Sequence, residues 1–208
     1  MLAEESVTGL LKYLLIIFII GGIIMQTSNS RWTTKMLTEG AIAIALSFVL
    51  GLFTIFEFPQ GGSITAGQMI PIIIFSLRYG AGKGFLVGAV YGVINMIFGG
   101  YVMHPVQAIL DYPLAFGSLG LAGLFADDFN LRHDYSAVFK GTFIAVIARL
   151  ICHVLTGVIF FASYAPENQS ALVYSIIYNG TFLLFEFVIT MLILSLLQKF
   201  IQRDLARI

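Results

Sequence analysis

The chain is poor in charge and nearly empty of cysteine. Only 11% of its 208 residues are Asp, Glu, Lys or Arg, the formal charges cancel to zero, and there is one Cys. A balanced charge removes the basis for a nucleic-acid partner or a polybasic surface. The lone Cys152 sits in an apolar run and supports neither a disulfide framework nor a Cys-based metal site. A nucleotide-binding loop is missing too, because GAGKG at 80–84 lacks the Gly-x4-Gly-Lys-Ser/Thr spacing that cradles phosphates. What fills the chain instead is hydrocarbon: 59% hydrophobic residues, 19 Phe and a mean hydropathy of +0.95. A helix needs about 20 residues to cross the roughly 30 Å hydrocarbon core. The length therefore allows six or seven crossings and leaves no room for a soluble domain, so the chain reads as an all-α, polytopic membrane helical bundle.

Apolar segments mark the crossings. The first, residues 10–26, follows Glu4 and Glu5 instead of the positive n-region of a signal peptide, and reads as a retained helix. Further segments run from Met36 to Phe56, Gln68 to Leu77, Gly84 to Phe98, His104 to Phe125, Ser136 to Phe161 and Ala171 to Leu197. The Pro/Gly-rich stretch from Glu57 to Gly67 reads as a flexible loop without a bulky anchor, suited to a lid. Gly80, Gly84, Gly88 and Gly92 recur every fourth residue and clear one helix face for a close neighbour. Arg31, Lys35, Arg78, Lys83, Arg132, Lys140, Lys199, Arg203 and Arg207 fall in alternate connections, whereas loops 57–67, 99–103 and 162–170 hold no Lys or Arg. The positive-inside rule then puts the first set and the carboxyl terminus in the cytoplasm of a cell membrane, and the second set outside.

Polar groups within these spans need a reason, since a lone Asp near the bilayer centre costs roughly 2.5–3.5 kcal/mol. Asp111 has His104 and Gln107 on the same helical side. Counted from the outer helix ends at about 1.5 Å per residue, Asp111, His153 and Asn179 all lie roughly 10–13 Å deep. Tyr101, Tyr112, Phe161, Tyr174 and Tyr178 surround that level or its mouth. An acid, an imidazole, an amide and aromatic walls suit a small planar ligand with hydrogen-bond donors and a positive charge. Singly, the histidine reads as packing, the asparagine as a helix-helix bond and the tyrosines as an interfacial belt. Their shared depth is what favours a site. Arg149, one turn deeper than His153, needs a partner as well; an ion pair with Glu186 is expected, with Asp111 as the alternative.

The motifs PQGGS (59–63), HPVQAILDYPLAFGSLGLAGLF (104–125), HVLTGVIFF (153–161) and YSIIYNG (174–180) give the chain a resemblance. From Arg31 to Leu197 it resembles the thiamine-specific substrate-binding (S) components of energy-coupling-factor (ECF) vitamin transporters. The resemblance implies a six-helix core (31–208) that captures thiamine from outside, joined by an additional N-terminal transmembrane segment (1–30) without a counterpart in that core. It implies partners as well, a transmembrane coupling protein and two ATPase subunits, and no cofactor or metal. By the same resemblance the ligand-contacting acid falls on Asp111, the histidine on His153, the tyrosine and asparagine on Tyr174 and Asn179, and aromatic walls on Tyr101 and Phe161. Ala41 and Ala45 look like the small-residue contact for the coupling protein, where ordinary helix packing is the plainer reading. Some members carry Glu in place of Asp111 and Trp in place of Phe161, and a loop tryptophan of some members is absent, since Trp32 is the only one here.

The alternatives are an S component for a related vitamin or pyrimidine precursor, and a stand-alone proton-coupled secondary transporter. An enzyme using His104, Asp111 and His153 is not expected, because no nucleophile or His-x-x-x-His spacing accompanies them.

Overall fold

A computed structural model describes residues 31–132, 134 and 136–205. The N-terminal segment expected to add a helix lies outside the described residues, as does Arg207. Six helices form the described bundle: α1 (Thr34–Leu52), α2 (Ile70–Tyr79), α3 (Ala81–Gly99), α4 (Pro105–Asn130), α5 (Ser136–Phe160) and α6 (Ala171–Leu205). All but α2 are long and apolar enough to cross a membrane.

The stretch expected as one apolar helix to Phe56 splits in two. Thr33 caps α1 by accepting the Met36 N–H at 3.2 Å, and the helix stops at Leu52. The β-branched and aromatic run that follows forms β1 (Thr54–Glu57), which pairs antiparallel with β2 (Ser63–Thr65). The expected flexible loop is therefore a hairpin, turned by Gly61 and Gly62 at φ near +88°. It also has its bulky anchor: the Phe58 ring packs on Tyr178 at 5.5 Å and Phe182 at 5.9 Å.

After the hairpin the chain re-enters as a half-length helix. α2 covers about 15 Å, half a bilayer core, and it is the centre of the bundle, with Ile72, Ile73 and Leu77 fully buried. Non-helical backbone preceding a half-helix is tolerated at membrane depth only where protein surrounds it.

α4 is a helix of changing pitch. His104 caps it and Pro105 opens it. Pro113 offers no N–H, and the ladder around it loosens into a π turn over Leu110–Leu114. It then tightens into a 3-10 stretch over Ser118–Phe125 before ending in an α turn at Asn130. In 3-10 geometry residues three apart eclipse one another, which puts Gly120 and Gly123 on one face, and Gly117, ending the α turn just before the stretch, joins them. That face lies against α3, whose glycines repeat at the α-helical spacing of four. A methyl on Gly88 would overlap the Phe116 carbonyl, one on Gly92 the Tyr112 carbonyl, and one on Gly120 the Phe85 backbone. Gly80 plays a different part, forming the turn between α2 and α3 at φ +89° with nothing within 4 Å.

Beyond the span, Asp134 accepts from the Ser136 hydroxyl at 2.6 Å and from its N–H at 2.8 Å at the start of α5. These bonds, led by the hydroxyl, hold its carboxyl below the usual range.

Gly88→Ala and Gly120→Ala should each destabilise the protein by about 1–3 kcal/mol through overpacking. Gly180→Ala, where nothing lies within 4 Å, should be neutral or stabilising. Melting temperatures in detergent check the contrast, and equal losses at all three positions would refute the close helix contact.

Candidate functional site: a cavity around Asp111 and His153

Asp111 lies in the π turn of α4, where the widened helix brings its carboxylate toward α5. Oδ1 lies 2.8 Å from His153 Nδ1, and Oδ2 accepts from Gln107 Nε2 at 2.9 Å. On the other side of the imidazole, Arg149 Nε donates to His153 Nε2 at 3.3 Å. An arginine nitrogen only donates, so Nε2 is the acceptor and the proton sits on Nδ1, directed at Asp111. A relay of one polarity results, Arg149 to His153 to Asp111, with Gln107 closing the carboxylate's other oxygen. Each carboxylate oxygen keeps a lone pair for a further donor.

The expected Arg149–Glu186 ion pair does not form, and neither does a direct Arg149–Asp111 pair. Arg149 instead lies with its guanidinium 4.1 Å over the Phe116 ring, and its Nη1 has no hydrogen-bond partner. Glu186 is taken by the hairpin: its Oε1 accepts the Thr65 hydroxyl at 2.7 Å and the Thr65 N–H. Sequence reading missed this competitor because a backbone donor in a non-helical segment leaves no residue-type signal.

A cavity of about 510 Å³ opens beside the relay. Tyr101, Asp111, His153, Phe161, Tyr174 and Asn179 all line it, so the structure brings together the six side chains singled out in the sequence. Asn179 spends its amide N–H groups on the Ser175 carbonyl (2.9 Å) and hydroxyl (3.1 Å) and, more weakly, on the His153 carbonyl (3.4 Å). Tyr101 faces Phe161 at 6.2 Å, and its carbonyl is held by Gln107 Nε2 at 2.9 Å and the Tyr112 hydroxyl at 3.3 Å. His104 stands apart. Expected on the Asp111 side of the helix, it is instead the extended, exposed cap ahead of α4 and stacks on Phe160 at 5.1 Å.

The stretch read as a lid does line the cavity, though as an ordered hairpin instead of a flexible loop. Phe58, Gln60 and Gly61 close one wall, where the Tyr178 hydroxyl accepts the Gln60 N–H at 2.9 Å and donates to the Gly61 carbonyl at 3.0 Å. Gln68 and Asn95 line a further part of the cavity and are joined through Tyr91, which donates to Gln68 Oε1 at 2.8 Å and accepts from Asn95 at 3.4 Å. A mid-helix asparagine in an apolar run was the available signal for the second of these. Ala41 and Ala45 lie far from this chemistry on α1, both exposed. No group of three His, Cys, Asp or Glu that could hold a metal ion occurs among the described residues.

The profile of the family described as "Thiamine transporter protein (Thia_YuaJ)" matches residues 37–205. The thiamine transporter ThiT of Bacillus subtilis is 35% identical over 167 residues, covering 76% of this chain and 84% of that protein. ThiT of Lacticaseibacillus paracasei is 34% identical over 182 residues, covering 78% and 89%. Among solved structures, ThiT from Listeria monocytogenes superposes with a TM-score of 0.73 at 28% identity, over 82% of this chain and 96% of its own.

The relay fixes an observable. Nitrogen-15 chemical shifts of His153 should report a protonated Nδ1 and an unprotonated Nε2, and Arg149→Met should disturb that tautomer preference. The opposite tautomer in the unsubstituted protein would break the relay.

Proposed function

The chain belongs to the thiamine transporter protein family, and on that premise we propose that it binds thiamine with high affinity from outside the cell. In this reading it is the substrate-specificity subunit of an ATP-driven ECF transporter. The observation that carries the reading is the cavity itself, in which an acid paired with an oriented histidine faces aromatic rings from several separate segments.

Thiamine joins an aminopyrimidine to a cationic thiazolium. Asp111, with lone pairs left over from its two fixed partners, receives the exocyclic amine or faces the cation. His153 holds the carboxylate in place, and the Asn179 carbonyl, which takes no hydrogen bond among the described residues, offers a second acceptor. Tyr101, Phe161 and Tyr174 stack against the rings. A desolvated cation over an aromatic face contributes up to about 2 kcal/mol, and nanomolar binding needs about 12 kcal/mol. Several such contacts are therefore required together with hydrogen bonds, and a volume of about 510 Å³ accommodates them.

Sidedness follows from charge. Glu57–Ser63 and Gly99–Tyr101, which line the cavity, belong to connections without Lys or Arg, and the positive-inside rule puts such connections outside. The carboxyl terminus is then cytoplasmic. In this reading the binding domain is residues 31–208, with residues 1–30 outside it. Having no nucleotide-binding motif of its own, the chain relies on two ATPase subunits and a transmembrane coupling protein, docked against the small exposed Ala41 and Ala45 of α1.

Calorimetric titration with thiamine should give saturable heat at micromolar protein, and none would sink the assignment. Asp111→Asn and His153→Ala should each weaken binding by about 10- to 100-fold, the loss associated with a hydrogen bond to a charged group. Thiamine uptake should cease in cells lacking the ECF ATPases; continued uptake there would favour the stand-alone, proton-coupled transporter.

A further inference from the structure

Four side chains at four-residue spacing on α6 grip the hairpin along its length. The Tyr174 hydroxyl donates to Gln60 Oε1 at 3.4 Å, Tyr178 bonds Gln60 and Gly61, and Phe182 packs on Phe58. Glu186, the fourth, takes both donors of Thr65. The first three line the cavity; Glu186 and Thr65 do not touch it. Each of that pair is 1% exposed.

Depth explains why a carboxylate stands there. Glu186 lies about 22 Å down α6 from Ala171, past the middle of a bilayer core. The inner strand of the hairpin ends at this level, and its backbone N–H has no water to turn to. One carboxylate oxygen, Oε1, satisfies that N–H and the Thr65 hydroxyl together, while Oε2 is buried without a hydrogen-bond partner. The hydroxyl also accepts the Gln68 N–H at 3.3 Å, and Gln68 does line the cavity. The clasp thus holds the hairpin at its inner end and passes the constraint to a wall residue.

We propose that Glu186 is a positioning residue that seats the hairpin on the cavity through Thr65 and thereby slows ligand release. This rests on the reading that the cavity binds thiamine. With the clasp cut, the wall formed by Phe58, Gln60 and Gly61 keeps only the tyrosine bonds and the Phe58 ring packing nearer its tip, and bound ligand escapes more often.

Stopped-flow dissociation of thiamine from the full-length protein tests this. Thr65→Val, which keeps the shape and removes the hydroxyl, and Glu186→Leu should each raise koff about tenfold, with kon not reduced. Thr65→Ser, which keeps the hydroxyl, should restore the original rate, and the double variant Thr65→Val/Glu186→Leu should be no faster than either single one. An unchanged koff in Thr65→Val, or additive effects in the double variant, overturns the inference even though thiamine still binds. Amide hydrogen exchange on the ligand-free, unsubstituted protein gives a readout independent of ligand and of variant folding. Slow exchange at Thr65, comparable to helix interiors, supports the clasp; fast exchange overturns it, whereas absent thiamine binding overturns the functional reading instead.

Discussion

A carboxylate inside a hydrocarbon-facing bundle is the constraint to which the rest of this structure answers. Asp111 is tolerated because His153 and Gln107 donate to its two oxygens, and His153 donates because Arg149 occupies its other nitrogen. Each partner demands a helix geometry of its own. The π turn at Leu110–Leu114 sets the acid toward α5 while Gln107, one turn earlier, stays within reach. Close backbone packing of α4 on α3 then seats that irregular segment in protein, away from lipid, which is the condition for irregular backbone at such depth.

The glycines make that packing possible through two different periods. α3 spaces them by four, as an α-helix requires for one face, and α4 spaces Gly120 and Gly123 by three, as its 3-10 stretch requires, with Gly117 at the entry to that stretch. Matching periods on the two sides would have implied two ordinary helices. The mismatch means that one partner has changed pitch, and Pro113 stands just upstream of the change.

Much of this architecture is legible in the amino-acid order alone. Hydropathy locates the five long crossings, and counting depths brings Asp111, His153 and Asn179 to one level, where the structure has Asp111 bonded to His153 and Asn179 near the His153 carbonyl. What escapes such a reading is whatever depends on backbone in unusual form. The hairpin looks like a flexible loop because its one proline and three glycines outweigh Phe58 in any local reading, yet Phe58 finds Tyr178 and Phe182 only across a separation of more than a hundred residues. The Arg149–Glu186 pair looks compelling because charge complementarity is visible in sequence, whereas a buried strand N–H is not. The Thr65 backbone wins that competition, and an aromatic face is left to the guanidinium.

The length of α6 carries a mechanical consequence. It runs unbroken from Ala171 to Leu205, about 52 Å at helical rise, well beyond the thickness of a hydrocarbon core. Its first half carries Tyr174, Asn179 and the hairpin grips, and its last turns emerge at the opposite end of the bundle. A stiff rod of that span acts as a lever: a tilt of about 5° pivoting at the cavity end displaces its far end by about 4–5 Å. A small change of tilt at the cavity end would thereby become a side-chain-sized displacement at the far end, carried by the rod itself.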